Sequence, residues 1–329
     1  MTRIAVLGSN SFAGAGFVDA ALTAGHTVLG INRSAEPHTA FLPYQRNARA
    51  SAYRFAQLDL NADLPAICDE LSAFEPASVV DFAGQGMVAE SWKWPHQWYE
   101  TNIVAKVRLH EFLRTRTWLS RYIRVSTPEV YGSTDQLIRE DQPYAPSTPY
   151  AVSHAATDMS LSAYARNYGF PVVLTRFANF FGAGQQLYRI VPKTILYALS
   201  GRKLPLHGGG TSIRAFIHVR DVAKALLLAC HRAPPGEVFH FSPSEFHSIR
   251  DVVQTVCNEL GVDFAKVTEI APDRAAKDQA YLMDASKARN RLDWQPTVSL
   301  IEGIRETIHW VKHYRAEFAD LPWDYVHKP

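Results

Sequence analysis

Apolar runs of strand length alternate with helix-period segments through the first two thirds of the chain. "RIAVLG" (3–8), "TVLGIN" (27–32), "SVVDFA" (78–83), "RYIRVST" (121–127) and "PVVLTRF" (171–177) carry β-branched residues and few charges, as strands buried on both faces do. Between them the spacing predicts helices at about 15–24, 63–73, 98–116 and 149–168. The alternation predicts a parallel sheet with helices on both faces, and right-handed crossovers wind such a chain into a Rossmann-like, doubly wound α/β fold. After about residue 180 the pattern changes. Helix-period segments at 188–201, 219–231, 247–260 and 299–313 are separated by short strand candidates and by the turn-rich, basic "GRKLPLHGGGTSIRAF" (201–216). The expected organisation is a Rossmann-like domain over 1–180, rejoined by later excursions of the chain, and a smaller α/β substrate-binding portion over 181–329.

Composition narrows the class. The chain has 329 residues, 47% hydrophobic and 20% charged, which is enough for a sizeable core. With 34 basic against 32 acidic residues it has no electrostatic footprint for nucleic acid or an anionic membrane. No run of about 18 apolar residues is present, and "MTRIAVLGSNSFAG" lacks the apolar stretch of a signal peptide, so a cytoplasmic location is expected. Cys68, Cys230 and Cys257 are too dispersed for a metal site or a disulfide framework, which predicts free thiols in a reducing compartment.

The first strand runs into "GSNSFAG". A glycine at the strand end (Gly8) allows a tight turn, and one six residues on (Gly14) lets the helix pack close. The helix start then offers free amides and a positive dipole end to a pyrophosphate. The candidate dinucleotide loop therefore includes Gly8, Asn10, Ser11, Phe12 and Gly14, with Ser11 where a glycine is usual. The second strand ends in Asn32 and Arg33; an arginine there suits a 2′-phosphate, which tilts the choice between NAD and NADP slightly towards NADP. In "LDL" (58–60), Asp59 and Leu60 follow a strand candidate, where Asp59 either accepts from an adenine amine or caps a helix. Ala83, at the end of "SVVDFA", completes the cofactor set.

"VSTPEVYG" (125–132) leaves a buried strand for a loop at the carboxyl edge of the sheet, where open α/β sheets bind ligands. Tyr150 follows near a helix start, with His154 four residues later. These stretches, with "ETN" (100–102), "PYAVSHAATD", "RFANFFGAGQ" (176–185), "RAFIHVRD" (214–221) and "YLMDASKARNRLDWQP" (281–296), resemble the extended short-chain dehydrogenase/reductase superfamily. The branch is that of the nucleotide-sugar dehydratases and epimerases, and the dTDP-glucose and GDP-mannose 4,6-dehydratases are most similar because their loop carries a glutamate where Glu129 stands.

The resemblance implies a tightly bound, internally recycled NAD or NADP and a nucleotide-diphosphate sugar as substrate. Tyr150 would be the base for the sugar C4 hydroxyl and Thr127 its hydrogen-bond partner. Glu129 would take the acidified C5 proton before water leaves from C6. It also implies diphosphate or sugar contacts from Gln85, Met87, Ser91, Asn179, Arg189, Lys193, Arg214 and Arg274, and a homodimer built on the helices at 98–116 and 149–168.

Two departures stand out. Pro128 replaces the acid that precedes the glutamate in dTDP-glucose-type enzymes, and His154 replaces the lysine of the Tyr-x-x-x-Lys pair. A histidine, with an unperturbed pKa of about 6.5, is only partly cationic near neutrality, so slower oxidation and a raised pH optimum are expected. Alternatives are an epimerase, a C4-dehydrogenase or a decarboxylase of the same superfamily, or a cofactor-binding protein whose site has degenerated.

Overall fold

The computed structural model describes residues 2–134, 136–272 and 282–328. Seven strands form one wholly parallel sheet: β1 (Arg3–Leu7), β2 (Thr27–Asn32), β3 (Tyr53–Gln57), β4 (Ser78–Asp81), β5 (Arg121–Ser126), β6 (Val172–Phe177) and β7 (Val238–Phe241). Their order is β7-β6-β5-β4-β1-β2-β3. The strand order reverses between β1 and β4, which opens a crevice at their carboxyl ends. The expected Rossmann-like α/β architecture is therefore present.

Helices cover both faces. On one, α1 (Phe12–Thr23) lies against a later helix, Val219–Arg232, over Ile4, Val6, Val80, Ile123 and Phe239. On the other, α2 (Leu64–Phe74), α3 (Ala105–Leu113) and α4 (Pro149–Tyr168) cover Ala5, Leu7, Leu29, Val79, Tyr122 and Val172. The helix α1 begins at Phe12, three residues before the apolar periodicity does. Ser11 caps it: its hydroxyl accepts from the Gly14 amide at 3.1 Å and donates to the Gly8 carbonyl at 2.7 Å. The helix expected at 98–116 instead starts at Pro95, passes through a π-helical turn (Glu100–Val104) and continues as α3.

A third core joins the helices Ile190–Leu199, Ile249–Leu260 and Leu300–His313 around Phe181, Val191, Val252, Ile304 and Val311. Both of the last two begin with a capping box, Ser248 with Asp251 and Ser299 with Glu302. Cys230 and Cys257 are buried free thiols, and Cys68 is half-buried and also free. No described helix is long and apolar enough to cross a membrane.

Candidate active site

The carboxyl ends of β1, β2 and β4 border a cleft of about 130 Å³. Gly8, Ser11, Asn32, Arg33, Asp59, Leu60, Ala83 and Gln85 line it, joined by Thr101 from the π-helical turn. Gly8 has φ +79, and a Cβ there would meet the Ala83 amide nitrogen at 2.9 Å. Only glycine fits this turn, which packs directly against the backbone that leaves β4 and brings the start of α1 to the cleft. Asn10 and Asn32 both donate to the Ser34 carbonyl at 3.1 Å, and Phe12 and Gly14 lie in the first turn of α1. Asp59 accepts from the Asn61 amide at 2.8 Å and so braces the bend after β3. Arg33 and Gln85 both donate to the Lys328 carbonyl, at 2.9 and 3.0 Å. The last described residues thus lie along this rim, where His327 stacks on Trp94 and Trp98.

The polar loop after β4 is held from behind. Asn102 is fully buried; its side chain accepts from the Gln85 amide at 2.7 Å and donates to the Gln85 carbonyl and to the Ser153 hydroxyl. Met87 sits at φ +67, in the left-handed region that non-glycine residues seldom occupy. Ser91 is fully buried and donates to the Val88 carbonyl at 2.6 Å. A residue one helical turn into a short helix faces inward here because Trp98 and α4 pack against that turn.

The loop after β5 brings the candidate catalytic groups together. Thr127 caps the short turn Pro128–Tyr131 and accepts from the Glu129 amide at 3.3 Å. Thr148 caps α4 with Pro149 in the first turn, which places Tyr150 at the amino end of that helix and His154 one turn on. The Thr127 side chain lies near enough to Tyr150 to stabilise its phenolate. Burial, followed by the Glu129 charge, raises the Tyr150 pKa above the ordinary 10; the Thr127 side chain and the Arg124 and Arg189 guanidinium groups pull it back. The Tyr150 and His154 rings lie 4.5 Å apart.

Burial, then Arg124 and Lys106, push the His154 pKa well below 6.5. The partly cationic histidine expected from the sequence is instead a neutral one. Its Nδ1 is 3.1 Å from a terminal nitrogen of Arg124. Arg124 also lies 3.3 Å from Asp81, which is paired with Lys106 and accepts from the Tyr122 hydroxyl at 2.7 Å. All of these groups are buried, and the composition of the strands gave no hint that they formed one network.

Farther out, Arg189 precedes the helix Ile190–Leu199 with its guanidinium over the Tyr188 ring. Lys193 is paired with Asp324 at 2.6 Å, Arg214 donates to the Ile213 carbonyl at 2.7 Å, and Asn179 opens a short strand paired with Phe216–His218. Arg274 lies outside the described residues. A larger surface hollow of about 480 Å³, lined by Arg220, Lys224 and His231 among others, holds none of these groups.

Strand order, glycine turn and the Thr127–Glu129–Tyr150 cluster define a short-chain dehydrogenase/reductase of the extended, nucleotide-sugar-modifying class. The chain belongs to the GDP-mannose 4,6 dehydratase family, whose model matches residues 6–307. It is 32% identical over 288 residues to a dTDP-glucose 4,6-dehydratase of Escherichia coli, covering 78% of this chain and 79% of that protein. A trifunctional UDP-glucose 4,6-dehydratase/3,5-epimerase/reductase of Arabidopsis thaliana is 32% identical over 237 residues, which is 71% of this chain; the match spans only 35% of that longer relative. The dTDP-glucose 4,6-dehydratase of Streptomyces venezuelae, solved with NAD bound, superposes with a TM-score of 0.88 at 28% identity, covering 96% of this chain and 98% of that one.

Proposed function

We propose that the protein is a nucleotide-sugar 4,6-dehydratase using NAD or NADP. The observation that carries this is the grouping of Thr127, Glu129 and Tyr150 at the carboxyl edge of the sheet, beside a glycine turn fit for a pyrophosphate. The residues suit a dinucleotide: Gly8 lets the turn after β1 close against the Phe82–Ala83 backbone at the head of the cleft, the start of α1 presents amides, and Asn32, Arg33 and Asp59 line the cleft at the ends of β2 and β3. Its relative in Streptomyces venezuelae holds NAD, which favours NAD; Arg33 is the sole residue here arguing for a 2′-phosphate.

A nicotinamide, when bound, supplies the two-electron exchange that takes hydride from C4 and returns it at C6. The protein's own groups handle the protons. Thr127 and Tyr150 hold the C4 oxygen, and Tyr150 takes its proton, with Arg124 and Arg189 favouring the phenolate. Once C4 is a carbonyl the C5 proton is acidic, and Glu129 removes it. With Pro128 unable to donate, Glu129 also protonates the departing C6 hydroxyl. Of the protons taken from O4 and C5, one leaves with hydroxide and one re-enters at C5, so the balance is loss of one water. Arg189, Lys193, Arg214, Asn179, Gln85 and Met87 are assigned to the nucleotide diphosphate and sugar, Arg214 and Arg189 by the match of a guanidinium to phosphate oxygens. Val104, Val152 and Met159 are exposed on the outer side of the π-helical turn and α4, which supports a homodimer formed there.

The test is incubation with GDP-, dTDP-, UDP- and CDP-sugars, each with NAD and NADP, read by mass spectrometry. Loss of one water (about 18 Da) from one substrate, without net cofactor reduction, is expected. A new isomer at unchanged mass would make the protein an epimerase. A 4-keto product with reduced cofactor would make it a dehydrogenase.

A further inference from the structure

We propose that Arg124 is the cation of this active site and acts on Tyr150 and the cofactor side through His154, in place of a lysine four residues after the tyrosine. The inference rests on the dehydratase reading and adds to it a positioning residue. Arg124 projects from the middle of β5 and is 1% exposed. It bridges the Asp81 carboxylate, at 3.3 Å, and His154 Nδ1, at 3.1 Å. A guanidinium has five donors and no acceptor, so in that contact Nδ1 must accept. The proton of His154 therefore resides on Nε2. The ring is held neutral in one tautomer and offers an N–H donor, while the positive charge sits one bond behind it.

The charges around this pair can be counted. Acting on His154 and Tyr150 are Asp81 from β4, Lys106 from α3, Arg124 from β5, Glu129 from the following turn, and Arg189, while Tyr122 from β5 and Asp158 from α4 act on Arg124 behind them. Asp81 is paired with Lys106 and Asp158 with Arg176. In the buried part of this set, Arg124 is left as the one positive charge in excess (three cations, Lys106, Arg124 and Arg176, against two carboxylates). That is the formal charge a lysine at 154 would bring. His154 is thus a relay between a fixed cation and the site rather than a weakened lysine.

A lysine at 154 is then not a repair. It would set an ammonium against the guanidinium of Arg124, with Lys106 close by, in a buried site where like charges are costly. Arg124→Met, His154→Lys and the double variant separate the possibilities, with cofactor binding and circular dichroism verifying the fold of each. Each single variant should lose about 100-fold in kcat with little change in KM. The double variant, which restores one cation beside Tyr150, should recover most of that loss. If Arg124→Met does not fold, Arg124→Lys takes its place in the series and should retain more activity than His154→Lys. A double variant no better than the worse single one would overturn the proposal, as would a His154→Lys enzyme as fast as the parent.

A substrate-free readout separates this inference from the dehydratase reading. In ¹⁵N-histidine-labelled protein at neutral pH, His154 should show a non-protonated Nδ1 and a protonated Nε2, and Arg124→Met should release that preference. A doubly protonated ring, or a proton on Nδ1, would overturn the coupling even in an active dehydratase. The expected tautomer in a protein that turns over no sugar nucleotide would leave the coupling standing and overturn the dehydratase reading.

Discussion

Glu129 is positioned by its neighbours more than by its own contacts. Pro128 and Thr127 start the short turn that carries it, and Tyr150 feels its charge directly. In the proposed reaction Glu129 serves elimination and not oxidation, because C4 oxidation there uses only the Tyr150–Thr127 pair. Glu129→Gln is isosteric and removes the base. Water loss should fall by about 100- to 10,000-fold, while nicotinamide reduction on adding substrate persists. Parallel mass spectrometry and nicotinamide absorbance check this; equal loss of both signals would mean that Glu129 acts before C5 chemistry. Legibility at this scale was uneven. Thr127, Glu129 and Tyr150 were expected together from the resemblance of their stretches to the family's, and Thr127 and Glu129 lie in the turn after β5 with Tyr150 in the first turn of α4. The burial of Ser91 and its bond to the Val88 carbonyl could not be read from its spacing. The neutrality of His154 was unreadable, because it comes first from burial and then from Arg124, thirty positions away in the chain, and Lys106.

Among the elements, α4 has the largest share in placing the chemistry. Its first turn holds Tyr150, its second His154, and its inner face Ser153, Thr157 and Asp158. Ser153 accepts from Asn102, and Thr157 donates to the Asn102 carbonyl within the π-helical turn. Widening the helix at that turn aims Asn102 at the loop 84–86 while Thr101 reaches the cofactor cleft. The amino end of α4 is fixed by the Thr148 hydroxyl, which accepts from the Ala151 amide at 3.1 Å. Thr148→Ala should cost about 1 kcal/mol, read from the urea midpoint. Because the lost cap frays the turn that holds Tyr150, kcat should fall by more than the stability change implies; an unchanged kcat would show that Tyr150 is held by packing alone. Helix lengths and most boundaries followed from periodicity and capping residues. The π-helical turn did not, since its extra residue leaves the apolar pattern nearly intact.

Across the whole molecule, the buried histidines set a pH dependence. Burial holds His110 and His240 down to about 3, His218 to about 4, and His154 well below its ordinary value. In the unfolded chain each titrates near 6.5. Below that pH the unfolded state binds protons that the native state refuses, so stability rises with pH in this range. The contribution is complete above about 6.5 and is lost as pH falls towards 3–4, at up to about 1.4 kcal/mol per pH unit for each fully buried ring. Urea unfolding measured from pH 7.5 down to 4.5 should show a steadily falling free energy; a flat profile would mean that these rings are protonated in the native state. The Asp81–Lys106–Arg124 network adds a second global constraint. Lys106→Met leaves Asp81 paired with Arg124, so the urea midpoint should fall by less than for a variant that strands a buried charge.

The sequence by itself determined the parallel sheet, the covering helices and the glycine turn. Each of these is written in local periodicity, or in residues whose backbone or chemistry has few substitutes. Only the tertiary structure decided how charge is distributed behind the site. Asp81, Arg124 and Arg176 look like isolated charges in apolar strands, and Lys106 like one cation on a helix. Adjacent strands and two helices bring them within hydrogen-bond distance in a medium of low dielectric. In such a medium the protonation state of each group depends on the others, and pairing between segments distant in the chain is not encoded in any local pattern.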